Sequence, residues 1–185
     1  MRLFVAVAVP AHARAALSVA IAPLRARHGD LRWIPATNWH LTVAFIGRVS
    51  VGQRLRAQQA VDAAAHQTRP CAVTLDGTLG RFGHRVLWAA VADDDGGLTE
   101  LAAAVRGALA TVGIVVDDRP FRAHLTLARA RRGQRVPRVR SPVTAVGLPA
   151  RWTVGRVALM ASRPQAGGSV YRDVATWPLR DTQAG

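Results

Sequence analysis

The sequence contains no lysine, and acidic residues are scarce. All 25 basic residues of the 185-residue chain are arginine, against 11 aspartate and glutamate residues, so the formal net charge is +14. Coding bias toward arginine and alanine is one explanation. The other is an anionic partner, because the guanidinium group is planar, permanently charged and well matched to phosphate oxygens. A charge of this size favours nucleic acid over neutral metabolites.

Cysteine and long apolar runs are also scarce. The one cysteine, Cys71, excludes an internal disulfide and a cysteine-based zinc site, and we therefore expect a cytoplasmic protein. The apolar run at residues 3–9 stops at Pro10 and is too short to cross a membrane. We interpret it as a first β-strand rather than as a signal peptide, and we predict no membrane association.

The apolar pattern switches several times between strand-like alternation and helical spacing. Helices are predicted at residues 11–28, 53–67 and 98–112. Strands are predicted at residues 2–9, 31–34, 40–46, 71–79, 85–91, 114–116, 121–127, 152–161 and 170–177. Pro23 is expected to kink or split the first helix, and Gly77 to form a bulge. We expect a turn at residues 80–83, an exposed basic loop at 129–140 and a frayed tail at 181–185.

Two tetrapeptides repeat the order His, apolar, Thr, apolar. They are His40-Leu41-Thr42-Val43 and His124-Leu125-Thr126-Leu127, which lie 84 residues apart. Side chains alternate faces in a strand, so each tetrapeptide presents its histidine and threonine on one face and buries its apolar residues on the other. We expect the two strands to meet across one cleft and the histidines to act on a phosphate there. With an ordinary pKa of about 6.5, one histidine can be neutral while the other is protonated.

These observations predict an α+β fold. The order of elements favours mainly antiparallel sheet with helices outside, and the repeated tetrapeptide favours two pseudo-twofold-related lobes around one central cleft. We expect residues 1–185 to form a single bilobal domain.

A His-x-Thr triplet alone is a weak signal. Six histidines and twelve threonines predict roughly 0.4 such triplets by chance in a chain of this length. His66-Gln67-Thr68 is a third example, but it lacks the apolar positions and is expected on the surface at a helix end. The two tetrapeptides differ from it because each lies within an alternating apolar strand.

With its flanking segments, the chain resembles the two-histidine (2H) phosphoesterase superfamily, and within it the bacterial RNA 2′,3′-cyclic phosphodiesterases, also called 2′-5′ RNA ligases. The matching stretches are Met1–Val7, Arg32–Pro35, Asn38–Thr42, Arg85–Trp88, Arg119–Arg129, and Ser162, Gly168, Tyr171 and Trp177–Leu179. The likeness departs at Ala123, where the family has proline, and at Val43, where leucine is commoner. The arginine- and proline-rich residues 131–151 match poorly.

The resemblance implies a hydrolase, an RNA 2′,3′-cyclic 3′-phosphodiesterase that needs no metal or other cofactor and leaves a 2′-phosphate. It implies that His40 is the proton donor and His124 the proton acceptor, whereas the residues alone leave the two roles interchangeable. Thr42 and Thr126 would donate hydroxyl hydrogen bonds to the phosphate oxygens. Arg129 matches a family arginine at the phosphate site. In reverse, the same groups would join a 2′,3′-cyclic end to a 5′-hydroxyl, a 2′-5′ RNA ligation without ATP.

Other functions remain open on the sequence. A basic module could bind RNA phosphate without turning it over, and the same chemistry could act on small cyclic nucleotides, 2′-5′ oligonucleotides or a cyclic phosphate of ADP-ribose. A zinc site would need further ligands, and the Asp93–Asp95 cluster is better explained as the start of a helix.

The expected partner is RNA with 2′,3′-cyclic phosphate ends, with tRNA fragments among the candidates, and the expected protein is a monomer. Aromatic side chains could stack on bases. Trp33, Trp39 and Phe82 are nevertheless expected in the core, and Tyr171 is expected to line the cleft.

Overall fold

The computed structural model of the chain describes residues 1–117, 119–165 and 168–180. Within them lie three α-helices, Ala11–Arg27 (α1), Val51–Gln67 (α2) and Gly97–Thr111 (α3), and a 3₁₀ turn, Ala36–Asn38. The strands are Arg2–Ala8 (β1), Arg32–Trp33 (β2), His40–Arg48 (β3), Cys71–Leu75 (β4), Leu79–Phe82 (β5), Val86–Ala90 (β6), Ala92–Asp93 (β7), His124–Arg129 (β8), Ala150–Val154 (β9), Arg156–Gln165 (β10) and Gly168–Pro178 (β11).

Two antiparallel sheets organise the described residues. The large sheet has the order β11-β10-β1-β3-β8-β6-β5, with β2 also paired to β8, and the small sheet has the order β7-β4-β9. The two motif strands, β3 and β8, are therefore neighbours at the centre of the large sheet. The predicted α+β class with antiparallel pairing is confirmed.

The large sheet has matching halves on either side of the β3–β8 pairing, which we call the seam. β3 is flanked by β1 and then β10, as β8 is flanked by β6 and then β5. In both halves the register slips by one residue at the same place. Val43 has no partner on β1 and Leu127 has none on β6, so each motif strand bulges directly after its threonine.

The apolar residues of both tetrapeptides face the same core as the helices. Leu41, Leu125 and Leu127 are fully buried, and they share one cluster with Leu17 of α1 and Leu101 of α3. Burying such a side chain contributes about 1.5–3 kcal/mol, so the alternating pattern fixes which face of each strand is covered.

Polar side chains fix where two of the helices begin. Ser50 and Gln53 form a reciprocal capping box at the start of α2. At the start of α3 the Asp93 carboxylate accepts hydrogen bonds from the backbone N–H of Leu98 and Thr99, at 3.0 and 2.8 Å. The acidic cluster therefore caps the start of α3, which agrees with its predicted role at a helix start. No helix among the described residues is both long and apolar enough to cross a membrane.

Two long strands predicted from the sequence are wrong, because the chain changes sheets within each. The stretch 71–79 divides into β4 in the small sheet and the start of β5 in the large sheet, and 152–161 divides into β9 and β10. Gly77 lies in the first break with φ +88°, and a Cβ there would stand 2.0 Å from the Val143 carbonyl oxygen. It permits a close backbone approach rather than a bulge.

Three smaller predictions are also corrected. Residues 79–82 form β5 rather than a turn, because they pair with β6 and the turn lies just after them. Residues 114–116 form no strand. α1 continues through Pro23 to Arg27; Pro23 is on the exposed side of the helix, where water can reach the carbonyl that its missing N–H leaves unpaired. The tail predicted at 181–185 lies outside the described residues.

Candidate active site

The seam brings the four polar motif residues together. Leu41 of β3 pairs with Leu125 of β8 in antiparallel register. Continued by one residue in either direction, that register places Thr42 beside His124 and Thr126 beside His40, with Cβ separations of about 4.5–5.5 Å. Because both leucines are fully buried, the four polar side chains lie on the opposite, open face of the sheet.

Both histidines are held in the same way. Nδ1 of His40 lies 2.8 Å from the carbonyl oxygen of Asn38, and Nδ1 of His124 lies 2.8 Å from that of Arg122. A carbonyl can only accept, so Nδ1 carries the hydrogen in each ring. Nε2 is then the nitrogen that gains or loses a proton. The two rings are thus prepared for acid–base chemistry at the same atom.

The pKa of each histidine lies below its ordinary value of 6.5, and burial is the main cause. At His40 the hydrogen bond to Asn38 opposes the shift and the nearby His124 adds to it. At His124 the hydrogen bond to Arg122 opposes the shift, while the positive charges of Arg129 and Arg122 add to it. Burial therefore stabilises the neutral form of both rings relative to an imidazole in water.

A cavity of about 490 Å³ opens on the His40 side of the seam. Its walls include His40, Thr42, Thr126 and Arg129, so it collects four of the five residues predicted for the site. His124 does not line this cavity, although its charge acts on His40. The volume is in the range of small-ligand pockets.

Three arginines converge on the cavity from different strands. Arg2 of β1 and Arg32 of β2 line it together with Arg129 of β8, and Arg32 is paired with Arg129 across the β2–β8 ladder. Among the described residues none of these three forms a salt bridge, and no acidic residue lines the cavity. The cavity is therefore suited to an anion with several oxygens.

A comparison of this chain with protein families agrees with the geometry. The profile of the 2′-5′ RNA ligase superfamily matches residues 10–165, which contain both tetrapeptides. The chain belongs to the 2′-5′ RNA ligase superfamily. The predicted resemblance to the two-histidine phosphoesterases is thereby confirmed.

Curated and solved relatives extend the match beyond those residues. An RNA 2′,3′-cyclic phosphodiesterase of Thermus thermophilus is 32% identical over 199 aligned positions, which cover 97% of this chain and 91% of the relative. One of Geobacillus stearothermophilus is 31% identical over 135 positions, 71% of this chain but only 42% of the relative. The structure of Escherichia coli LigT without ligand is 29% identical, with a TM-score of 0.77 and coverage of 97% and 98%.

Several residues that line the cavity were not predicted as site residues. Arg2, Phe4, Arg32 and Asn38 all line the cavity. Arg2 and Arg32 belong to stretches that carried the resemblance, but nothing in their local spacing marks them. They reach the cavity through the pairing of β1 with β3 and of β2 with β8, which is long-range in sequence.

Two aromatic rings enclose His40. The ring of Phe4 lies 4.9 Å from that of His40, and the ring of Tyr171 lies 5.1 Å away at 80°. Tyr171 lines the cavity, as predicted, and Trp39 is buried in the core, as predicted. Trp33 lines the cavity while packing on the core. These contacts bury the His40 ring and so contribute to its lowered pKa.

A different aromatic pair lies against His124. The ring of Phe82 is 4.9 Å from that of His124, and the ring of Trp88 is 6.2 Å away. Phe82 is 40% exposed, so the prediction that it belongs to the core is wrong. A Cβ at Gly80 would stand 2.3 Å from the Trp88 ring, so this glycine makes room for the indole.

The described residues contain no group of three or more histidine, cysteine, aspartate or glutamate side chains placed to hold a metal ion. The acidic cluster Asp93–Asp95 caps α3 instead. His66 pairs with Asp62 on the surface, outside the cavity, in agreement with its prediction as a surface residue.

Proposed function

We propose that this protein is a metal-independent RNA 2′,3′-cyclic 3′-phosphodiesterase, which hydrolyses the cyclic phosphate at an RNA end to a 2′-phosphomonoester. The observation that carries the proposal is the seam, where two histidines with the same fixed tautomer and two threonines share one open face. The curated relatives named for this activity support it.

The proposed reaction uses the two histidines on opposite sides of the phosphorus. Nε2 of neutral His124 accepts a proton from water as the water oxygen bonds to phosphorus. The bond from phosphorus to the 3′ oxygen breaks, and that oxygen takes the proton from Nε2 of protonated His40. The 2′ oxygen stays esterified, one proton has entered the dyad and one has left it, and exchange with solvent restores the starting state.

The threonines and Arg129 are proposed to bind the non-bridging oxygens. Negative charge grows on these oxygens as water attacks, and fixed donors stabilise that charge more than they stabilise the ground state. This proposal is supported by the cavity, because Thr42, Thr126 and Arg129 line it together with His40. Run backwards with a 5′-hydroxyl in place of water, the same steps give a 2′-5′ RNA ligation.

The direct test is the product formed from an RNA oligonucleotide with a 2′,3′-cyclic phosphate end. Phosphorus NMR distinguishes the cyclic ester from the 2′- and 3′-monoesters, and we expect the 2′-monoester at the same rate in excess EDTA. Binding without turnover would make the protein an RNA-binding module. Loss of turnover in EDTA that zinc restores would contradict the metal-free reaction.

The substrate panel should include small cyclic nucleotides, 2′-5′ oligonucleotides and a cyclic phosphate of ADP-ribose. If kcat/KM for one of these substrates is well above that for RNA ends, the proposed reaction stands but its substrate is that compound rather than RNA.

We further propose a monomeric, single-domain protein that acts in the cytoplasm, with tRNA fragments among its RNA ends. The four motif residues and Arg129 come from one chain, so the site needs no second subunit. Cys71 is 2% exposed, which hinders a disulfide to another chain. A solution mass of two chains by light scattering would contradict the monomer.

A further inference from the structure

The segment after β8 concentrates positive charge on one surface. We call residues 131–140 the arginine loop; its arginines are Arg131, Arg132, Arg135, Arg138 and Arg140, and all five are exposed. The surrounding sequence offers no counter-charge, because no aspartate or glutamate occurs between Arg119 and Arg172. Among the described residues none of the five forms a salt bridge. This surface is therefore suited to an external polyanion.

The arginine loop is held against the protein at several points. The backbone N–H of Ala130 donates to the Arg85 carbonyl at 2.9 Å, and that of Val136 donates to the His84 carbonyl at 3.0 Å. Val136 is 2% exposed and belongs to the core cluster. Because Val136 is anchored while Arg135 and Arg138 are exposed on either side of it, the loop is a fixed surface rather than a loose tail.

The same contacts place the loop beside the His124 half of the cleft. His84 and Arg85 form the turn between β5 and β6, and these two strands carry Phe82 and Trp88, whose rings lie against His124. The guanidinium of Arg122 lies 5.6 Å from the centre of the Trp88 ring. Phe82, an exposed aromatic residue directly before the turn that holds the loop, therefore contacts His124, and an aromatic ring beside a basic surface is the combination that single-stranded nucleic acid binds.

We propose that the arginine loop binds the phosphodiester backbone of the RNA strand on the 5′ side of the reacting end. This inference rests on the proposed function and adds a second contact region outside the cavity. It has a direct consequence for substrate preference. A cyclic mononucleotide reaches only the seam and the cavity, whereas an oligonucleotide also reaches the loop.

The test compares two substrates that share the same reacting end, a 2′,3′-cyclic mononucleotide and a single-stranded RNA of about twelve nucleotides. The variant is Arg135→Gln, Arg138→Gln and Arg140→Gln together; Arg131 is left in place because its Nε donates to the Asp30 carbonyl at 3.0 Å. The matched control removes three exposed arginines from the helical side, Arg25→Gln, Arg56→Gln and Arg69→Gln.

We expect the loop variant to keep the parent's kcat/KM for the mononucleotide and to lose affinity for the oligonucleotide. Each lost phosphate contact flattens the slope of log K against log salt by about 0.7 on a single strand, so three contacts flatten it by about 2. Between about 50 and 200 mM salt, the parent should then lose roughly 20-fold more oligonucleotide affinity than the variant. A lysine variant at the same three positions should keep most of the slope, since it keeps the charges.

The outcomes separate the two proposals. A parent that turns over neither substrate contradicts the proposed function. A parent that turns over both, with a loop variant of unchanged oligonucleotide affinity and salt slope, contradicts the loop as an RNA contact. The same conclusion follows if the helical control loses as much affinity as the loop variant. If the triple glutamine variant folds poorly, Arg135→Gln, Arg138→Gln and Arg140→Gln are tested singly; each should flatten the slope by about 0.7, and unchanged slopes in all three would contradict the loop as an RNA contact.

Discussion

The His40 half and the His124 half of the cleft are alike in backbone and different in surroundings. Each has a histidine whose Nδ1 lies 2.8 Å from the carbonyl two residues earlier, and each has a bulge directly after its threonine. His40 lines a cavity of about 490 Å³ with Tyr171, whereas His124 lies outside that cavity, beside the exposed ring of Phe82. A repeated backbone therefore holds the two histidine rings in equivalent ways, and the side chains around them make the halves unequal.

The largest expected effect comes from removing either histidine. His40→Ala and His124→Ala should each lower kcat/KM by about 100- to 10,000-fold, because each removes a proton-transfer group. A substrate whose 3′ oxygen is replaced by sulfur distinguishes the proton donor from the proton acceptor, because the sulfur leaves without being protonated. The sulfur substrate should restore much of the rate to His40→Ala and little to His124→Ala. Rescue of His124→Ala alone would reverse the assigned roles, and parental rates in both variants would contradict the site.

Removing the hydroxyl of either motif threonine should have a similar effect on the rate. Thr42→Val and Thr126→Val each remove one hydroxyl while keeping shape and strand preference, and each should lower kcat by about 100-fold. Single-turnover rates on the cyclic-phosphate RNA measure this loss. Thr153→Val, an exposed threonine of β9 in the small sheet, is the control and should change nothing. A large loss for one threonine with none for the other would show that the phosphate contacts one half alone.

The pH dependence should reflect the lowered pKa of both histidines. The proposed reaction needs one neutral and one protonated ring, and both pKa values lie below 6.5 in the free protein. As the pH rises above both pKa values, the last proton leaves the histidine pair. The value of kcat/KM should then fall, by an amount that approaches tenfold per pH unit. An optimum of kcat/KM at pH 8 would contradict this.

Arg129→Gln should change the pKa of the histidine in one half of the cleft only. Arg129→Gln removes a positive charge that lowers the pKa of His124 and is not among the causes at His40. One limb of the kcat/KM profile should therefore move to higher pH, in addition to any loss of phosphate binding. A profile that keeps its shape and position would argue that Arg129 acts on the substrate alone.

The smallest effects should come from the aromatic neighbours. Tyr171→Leu removes a ring from the cavity wall, and an aromatic contact of about 0.5–1.5 kcal/mol corresponds to a rise in KM of about 2- to 12-fold on a cyclic mononucleotide. Phe82→Leu should change that KM less, because Phe82 lies beside His124 and does not line the cavity. Equal effects would mean that the nucleoside lies between the halves rather than in the cavity.

The motif strands were predictable because their signal is local. Alternation in His40-Leu41-Thr42-Val43 places the histidine and threonine on one face whatever the rest of the chain does. The acidic start of α3 was predictable for the same reason, since Asp93 bonds the N–H groups of residues only five and six positions later.

The other features depend on contacts between distant parts of the chain. Gly77 marks a change of sheet only because Val143 lies against it. Arg32 enters the cavity only because β2 pairs with β8. Phe82 is exposed because it ends β5, an edge strand of the large sheet that pairs with β6. A local pattern cannot report any of these placements.

The seam also matters for how the chain folds. Among the residues that the structure describes, Leu41 and Leu125 are the pair that joins β3 to β8, and 84 residues separate them. Until that long-range contact forms, β3 and β8 each present an unpaired strand edge rich in apolar residues, which is a template for association with another chain. The same docking step that brings the two histidines together therefore also covers two apolar strand edges at the centre of the large sheet.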